Sequence, residues 1–363
     1  MRSMQLDTDC EGPLALNDNA FELCRDFLKP DGDRFFKQVS RYDDYLADIL
    51  KKEGYKAGDT LKLILPFLKA YGLTNEMIRE YSRKTLMLVP GAEAAYRFLH
   101  SLKFPIFEIS TSYRQFAETV GLKLGFDAAH IYCTDLDLDR HVVLEAEAKE
   151  LKRLQAEITT MPKIDLPPEA ASLADLPGPV QEAIGSLDEI FCKRIPEMNI
   201  GVLYQEVNPL GGAEKARALS ESVDKTQMSL ADTIYVGDSI TDVQAFEAVR
   251  AGGGLGISFN GNRYAVDVAE VIVIADTVWP IALLVAVFGE WGKDGVLELA
   301  APEGPGKSRS LIIPEAVIEP IAVGLQGHQF NLYTGGRVDG EKVAGESVAM
   351  RAKLRGAAIA ALG

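Results

Sequence analysis

Apolar residues recur along this chain with two periods, and the changes between them divide it. In DDYLADILKKEG and DTLKLILPFLKAYG they fall at three- and four-residue spacing, and each stretch ends in Gly, as amphipathic helices do. After a first strand, MQLDT, no further strand pattern appears until FPIFEIS at residues 104–110. Residues 14–103 therefore read as a helical insertion followed by a return to a sheet. FPIFEIS leads into the helical pattern YRQFAETVGLKLG, and HIYCTDLDLDRHVVLE then alternates as a half-exposed strand or hairpin would. A charged helix (EAEAKELKRLQAEI), a Pro-rich connector (MPKIDLPPEAASLADLPGP) and a further helix (VQEAIGSLDEIFCKRI) make a second insertion over residues 136–199.

Beyond residue 200 the pattern is regular. GGAEKARALSES is helical, TIYVG a strand, TDVQAFEAVRAG helical, and GLGISF and VIVIA are strands. Such alternation predicts an α/β protein, with a parallel sheet covered by helices on both faces. The expected core comprises residues 1–13, 104–135 and 200–290, with a helical cap at 14–103 and the second insertion at 136–199. A C-terminal extension, 291–363, carries weaker signals and ends in VAMRAKLRGAAIAALG, a helix expected to pack on the main body.

Composition narrows the picture. A formal net charge of −15 argues against nucleic acid as partner, because phosphate backbones need a positive surface, and it suits an acidic site for a divalent cation. The most apolar stretch, VIVIADTVWPIALLVAVFGEW, is divided by Asp276 and Pro280 into a strand and a helix start, both too short to span a bilayer. Cys10, Cys24, Cys133 and Cys192 lie far apart with no Cys-x-x-Cys pair, and the N-terminus lacks an apolar signal core. A soluble, cytoplasmic protein that does not enter the membrane is expected. Two lookalikes are set aside. DLDLD has Arg140 and Ala146 where a calcium loop needs Gly and Glu, and EGPGKS has Ala301 where a phosphate-binding loop needs its first Gly.

The chemistry concentrates in YVGDSITDVQAF. An apolar strand ends at Gly237, Asp238 follows at its tip, and Asp242 falls on the first turn of the next helix. Ligands of open parallel sheets gather at these strand ends, where two carboxylates can hold a hard cation such as Mg²⁺. An N-cap is the plainer explanation of the same residues. Near the N-terminus, LDTDCEGPL offers two acid pairs, Asp7 with Asp9 or Asp9 with Glu11. The second pair places Gly12 directly after it, where a sharp turn with positive φ needs glycine.

LDTDCEGPL, Ser110 at a strand end, Lys215 and GDSITD stand in the order of the four signatures of the haloacid dehalogenase-like hydrolases, and the sequence resembles that superfamily over residues 4–290. GGAEKARAL and GGLGISFNGN are most similar to its phosphoserine-phosphatase branch. NDNAFEL and the general layout resemble a poorly characterised archaeal group, some of whose members are labelled as an energy-converting hydrogenase subunit. The resemblance implies a Rossmannoid, doubly wound fold with a helical cap after the first motif and a second insertion after the second strand. It also implies a Mg²⁺-dependent phosphohydrolase that acts on a small phosphorylated metabolite through an aspartyl-phosphate.

Carried over residue by residue, Asp9 is the nucleophile, Glu11 the acid/base, and Ser110 (or its neighbour Thr111) and Lys215 the holders of the phosphoryl oxygens. Asp9, Glu11, Asp238 and Asp242 form the metal set. Asn17 and Asp18 are candidate substrate contacts, although a turn or helix cap explains them equally well. Asn260 and Asn262 read as turn residues. Glu11 departs from the Asp usual at its position, which motivates the rival expectation of a non-catalytic phosphate-binding or regulatory subunit retaining the hydrolase fold. A protein partner or self-association is compatible with either reading.

Overall fold

Seven strands form a single sheet in the order β3-β2-β1-β4-β5-β6-β7: β1 (Gln5–Thr8), β2 (Ile106–Tyr113), β3 (Ile131–Thr134), β4 (Thr233–Gly237), β5 (Leu255–Phe259), β6 (Val271–Ala275) and β7 (Phe330–Thr334). The first six pair in parallel, and β7 closes the edge antiparallel to β6. This computed structural model describes residues 2–167, 169–301, 313–336 and 339–357, so EGPGKS lies outside the described residues. Strands β1, β4, β5 and β6 are buried along their whole length, which explains why TIYVG and VIVIA read as unbroken apolar runs. The architecture is the expected Rossmannoid α/β sheet, with helices flanking it.

The chain leaves β1 toward β2 on one side and later returns to β4 on the other, which makes the β1/β4 junction a topological switch point. In register, Thr8 pairs with Glu108 of β2 and Val236 of β4. Strands β1 and β4 therefore end nearly level, whereas β2 runs on past them to Tyr113, so that its last residues stand beside those that follow β1 and β4.

The two insertions share one hydrophobic core. Phe35, Tyr42, Phe67 and Leu68 from the first pack with Leu151, Leu154, Ile184 and Phe191 from the second. Phe191 stacks on Tyr42 at 5.6 Å between ring centroids and meets Phe67 edge-on at 6.2 Å. Within the first insertion, helix Ala92–Ser101 packs elsewhere: Ala92, Ala95, Tyr96 and Leu99 join Leu6, Ile234 and Ile281 in the core beneath the sheet.

The alternation in HIYCTDLDLDRHVVLE ends earlier than its pattern suggests. Only Ile131–Thr134 is strand, and a 3₁₀ turn at Leu138–Arg140 follows. The intervening acids serve a helix start instead: Asp139 accepts from the Asn75 backbone N–H at 3.1 Å and Asp137 from the Asn75 side chain at 2.7 Å. At the C-terminus, helix Gly340–Arg355 returns to the sheet, where Val343 and Ala344 pack on Val266, Ile272 and Ile274. No described helix is long and apolar enough to cross a membrane.

Candidate active site

Asp9 stands one residue beyond β1, held there by its backbone N–H, which donates to the Val236 carbonyl at 2.8 Å. The Cys10 N–H donates to its Oδ1 at 2.7 Å. Asp7, two residues earlier, lies inside the strand, where its carboxylate accepts from Ser222 at 2.5 Å and Gln5 at 2.8 Å. Gly12 closes the loop after Asp9 with φ +108°, and a Cβ there would sit 2.1 Å from Oδ2 of Asp238. Both the backbone angle and the close approach demand glycine.

Asp242 ends a 3₁₀ turn after β4, and every one of its lone pairs is used. Oδ2 accepts from the backbone N–H groups of Asp238 and Ser239, each at 2.9 Å, and Oδ1 accepts from the Tyr235 hydroxyl and Lys215, each at 2.7 Å. Lys215, fully buried on helix Ala213–Thr226, also reaches Oδ2 of Asp9 at 2.8 Å. Burial would neutralise that ammonium, but the Asp242 and Asp9 carboxylates win and hold its pKa above the ordinary lysine value. Burial likewise opposes ionisation of Asp242, and Lys215 overcomes it, so that the Asp242 pKa falls below the usual range. Asp9 goes the other way: burial lifts it to about 7 against the pull of Lys215.

Carboxylate oxygens of Asp9, Asp238 and Asp242 lie within 4.8 Å of one another. An all-oxygen, anionic donor set suits a hard divalent cation. Because Asp242 is saturated, Asp9 and Asp238 are the residues that would hold the ion, and Asp242 holds Lys215. Glu11, expected in the metal set, lies outside this group. Its Oε1 accepts from the Asn19 backbone N–H at 2.8 Å, and burial, with Asp18 nearby, raises its pKa to about 8.

Ser110 is fully buried, with its hydroxyl accepting from the Ser112 N–H at 3.0 Å, while Thr111 and Ser112 line the cavity beside Asp9. Thr111 donates to the Leu210 carbonyl at 3.1 Å, whereas the buried Ser112 Oγ has no partner. Asn17 is occupied internally: its amide donates to Glu22 and the Thr85 carbonyl and accepts from the Met87 N–H. Asp18 caps helix Asn19–Phe27 through the Phe21 N–H at 2.9 Å and also lines the cavity. Asn262 caps helix Arg263–Val268 and Asn260 bridges to the Ala275 backbone, so both serve the fold.

Among the residues of this site that went unread in the sequence are two arginines. Arg351 and Arg355, on the C-terminal helix, both ion-pair with Oδ2 of Asp238, the latter at 3.2 Å. Their only sequence signal is a four-residue spacing in MRAKLR, which puts them on one helical face. The cavity they line has a volume of about 120 Å³, and Phe36, Ser40 and Thr60 of the first insertion line it too.

No protein-family model matches the chain, and no curated protein matches it either. Among solved structures, gene product AF1437 from Archaeoglobus fulgidus is 31% identical, with a TM-score of 0.79 over 100% of this chain and 99% of that one. A phospho-aspartyl intermediate analogue of phosphoserine phosphatase matches at 15% identity and a TM-score of 0.45, over 75% of this chain and 93% of its own. A substrate-bound phosphoserine phosphatase complex matches at 15% identity and 0.44, with the same coverage.

Proposed function

The chain belongs to the family of gene product AF1437 from Archaeoglobus fulgidus, and we propose that it is a Mg²⁺-dependent phosphohydrolase acting on a small phosphorylated metabolite through an aspartyl-phosphate on Asp9. One observation carries this reading: Lys215 is bound at once to Asp9 and Asp242, with Asp238 in the same cluster of carboxylate oxygens at the ends of β1 and β4. The order of the contributing segments is that of the haloacid dehalogenase-like motifs, which supports the same chemistry.

The residues would divide the work as follows. A carboxylate oxygen of Asp9 attacks phosphorus, and the bond from phosphorus to the leaving oxygen breaks. Glu11 holds its proton at neutral pH, and with Oε1 engaged by Asn19, Oε2 is free to carry it to that leaving oxygen. In the second step Glu11 takes a proton from water, the water oxygen bonds to phosphorus, and the Asp9–phosphorus link breaks to free phosphate. Lys215 fixes Asp9 and presents positive charge to the transferring group. Asp9 and Asp238 would hold a divalent cation, which would supply charge neutralisation between carboxylate and phosphate. The small volume of the cavity favours a small ester.

The rival, a phosphate-binding subunit without turnover, draws support from Glu11, which is longer than the usual aspartate and turned toward Asn19. An association with an energy-converting hydrogenase has no feature of this site behind it and forms no part of the proposal. The four cysteines are free, in keeping with the reducing cytoplasm proposed for it.

The test is turnover of a panel of phosphorylated metabolites, combined with trapping by beryllofluoride. Wild type and Asp7→Asn should form the adduct, and Asp9→Asn should form none and turn nothing over. An adduct mapped by mass spectrometry to Asp7 would overturn the assignment of the nucleophile. Phosphate binding without hydrolysis of any ester would favour the rival.

A further inference from the structure

The two oxygens of the Asp238 carboxylate are not equivalent. Arg351 and Arg355 both ion-pair with the same one, Oδ2, the latter at 3.2 Å. The backbone at Gly12 closes on that atom as well, so tightly that a Cβ there would lie 2.1 Å from it. Two guanidinium groups and a glycine thus enclose Oδ2, on a side chain that is 3% exposed. A cation that shares this carboxylate with the arginines is left with Oδ1.

The arginines are fixed where they stand. Arg355 donates to the backbone carbonyls of Leu16 at 3.0 Å and Asn17 at 2.6 Å, and Arg351 donates to the backbone carbonyl of Asp238 at 3.3 Å. The helix that carries them is pinned in turn: Ser347 donates to the Gly261 carbonyl at 2.7 Å, and Val343 and Ala344 pack on Val266, Ile272 and Ile274. Withdrawing either guanidinium from Oδ2 would leave a buried charge without its partner, which costs several kcal/mol. Oδ2 therefore stays engaged whichever cation arrives.

We propose that Arg351 and Arg355 select the cation: by keeping Oδ2 of Asp238 for themselves, they confine that carboxylate to ligation through one oxygen and so favour Mg²⁺ over Ca²⁺. Mg²⁺ is small, keeps a strict octahedron and needs few protein oxygens. Ca²⁺ gathers more oxygens and readily takes both from one carboxylate, which Asp238 cannot give it here. The arginines act through Asp238 and are specificity-determining residues. The assignment rests on the cation-dependent reading of the site and adds to it which ion the site retains.

Calorimetric titration of Mg²⁺ and of Ca²⁺ into the full-length protein tests it without turnover. The quantity to compare is the ratio of the two affinities, because the lost positive charge of an arginine acts alike on two divalent ions and cancels, as does any general loosening of the fold. In the double variant Arg351→Met/Arg355→Met, which frees Oδ2 and keeps most of the buried side-chain volume, the ratio should shift toward Ca²⁺ by about tenfold. A folded variant with an unchanged ratio would overturn the selection and leave the arginines as anchors of the helix, with the cation site itself intact. Failure of wild type to bind Mg²⁺ at all would overturn the cation reading and the selection together. Should the double variant misfold, a crystal structure of wild type soaked in Ca²⁺ decides. Ligation by one oxygen of Asp238 with both ion pairs in place, or a site that takes up Mg²⁺ but no Ca²⁺, supports the assignment. Ligation by both oxygens, or a displaced guanidinium, overturns it.

Discussion

Lys215 and Asp242 form a fully buried ion pair, 2.7 Å between Nζ and Oδ1, and the same ammonium lies 2.8 Å from Asp9. One cation thus ties Asp9 to the loop after β4. Lys215→Ala should lower kcat by about 10²–10³-fold, the usual cost of removing one donor from a site of developing charge. It should also destabilise the fold by about 3–5 kcal/mol, because Asp242 is left charged and without its cation. Steady-state kinetics and urea unfolding check the two effects, and near-normal turnover in a folded variant would remove Lys215 from the mechanism.

Gly12 faces Asp238 too closely to tolerate a side chain, with a Cβ falling 2.1 Å from Oδ2 at a φ of +108°. Gly12→Ala should therefore push Asp238 away from Asp9 and weaken cation binding by about tenfold or more, with turnover falling alongside. Calorimetric titration of Mg²⁺ into the variant is the direct measurement. Unchanged affinity would mean that Asp238 is not a ligand.

Removal of divalent cations by a chelator should abolish turnover, and Mg²⁺ should restore it. Excess Ca²⁺ should inhibit, since it accepts more oxygen ligands at longer distances and would engage both oxygens of Asp9, leaving none free to attack. Activity that persists in chelator would refute the role given to Asp9 and Asp238 as a cation pair.

Asp7 gives the fold a pH dependence separate from catalysis. Burial raises its carboxyl from 3.8 to about 7, although Ser222 and Gln5 favour the charged form. Between those values the native state binds more protons than the unfolded chain, so stability falls as pH rises from about 4 to 7 and is level above that. Asp7→Asn removes this contribution. Compared with wild type, the variant should gain stability between pH 5 and pH 8 in urea unfolding, and a constant difference would show that Asp7 titrates normally.

The sequence by itself determined the parallel strands that carry the site. TIYVG and VIVIA declare buried parallel strands by composition alone, and GDSITD follows its strand directly, so the position of Asp238 and Asp242 is a local property. The turn at Gly12 after Asp9 was legible for a similar reason, since a positive-φ turn and the residue that allows it are neighbours in the chain.

Only the tertiary structure decided what arrives from a distance. Two insertions with separate helical patterns share one core through Phe67, Tyr42 and Phe191, and amphipathic spacing tells which face is buried but never against what. Strand β7 completes the sheet from FNLYT, a five-residue run too short to declare its partner before it pairs with β6. Ser110 turns its hydroxyl to the Ser112 backbone while Ser112 lines the cavity, a choice made by local hydrogen bonds that residue type leaves open. Arg351 and Arg355 enter more than a hundred residues after Asp238 because the C-terminal helix docks on β6 and the helix Arg263–Val268. In sequence they are two exposed-looking charges in MRAKLR. Their burial against a carboxylate is a property of the packed fold.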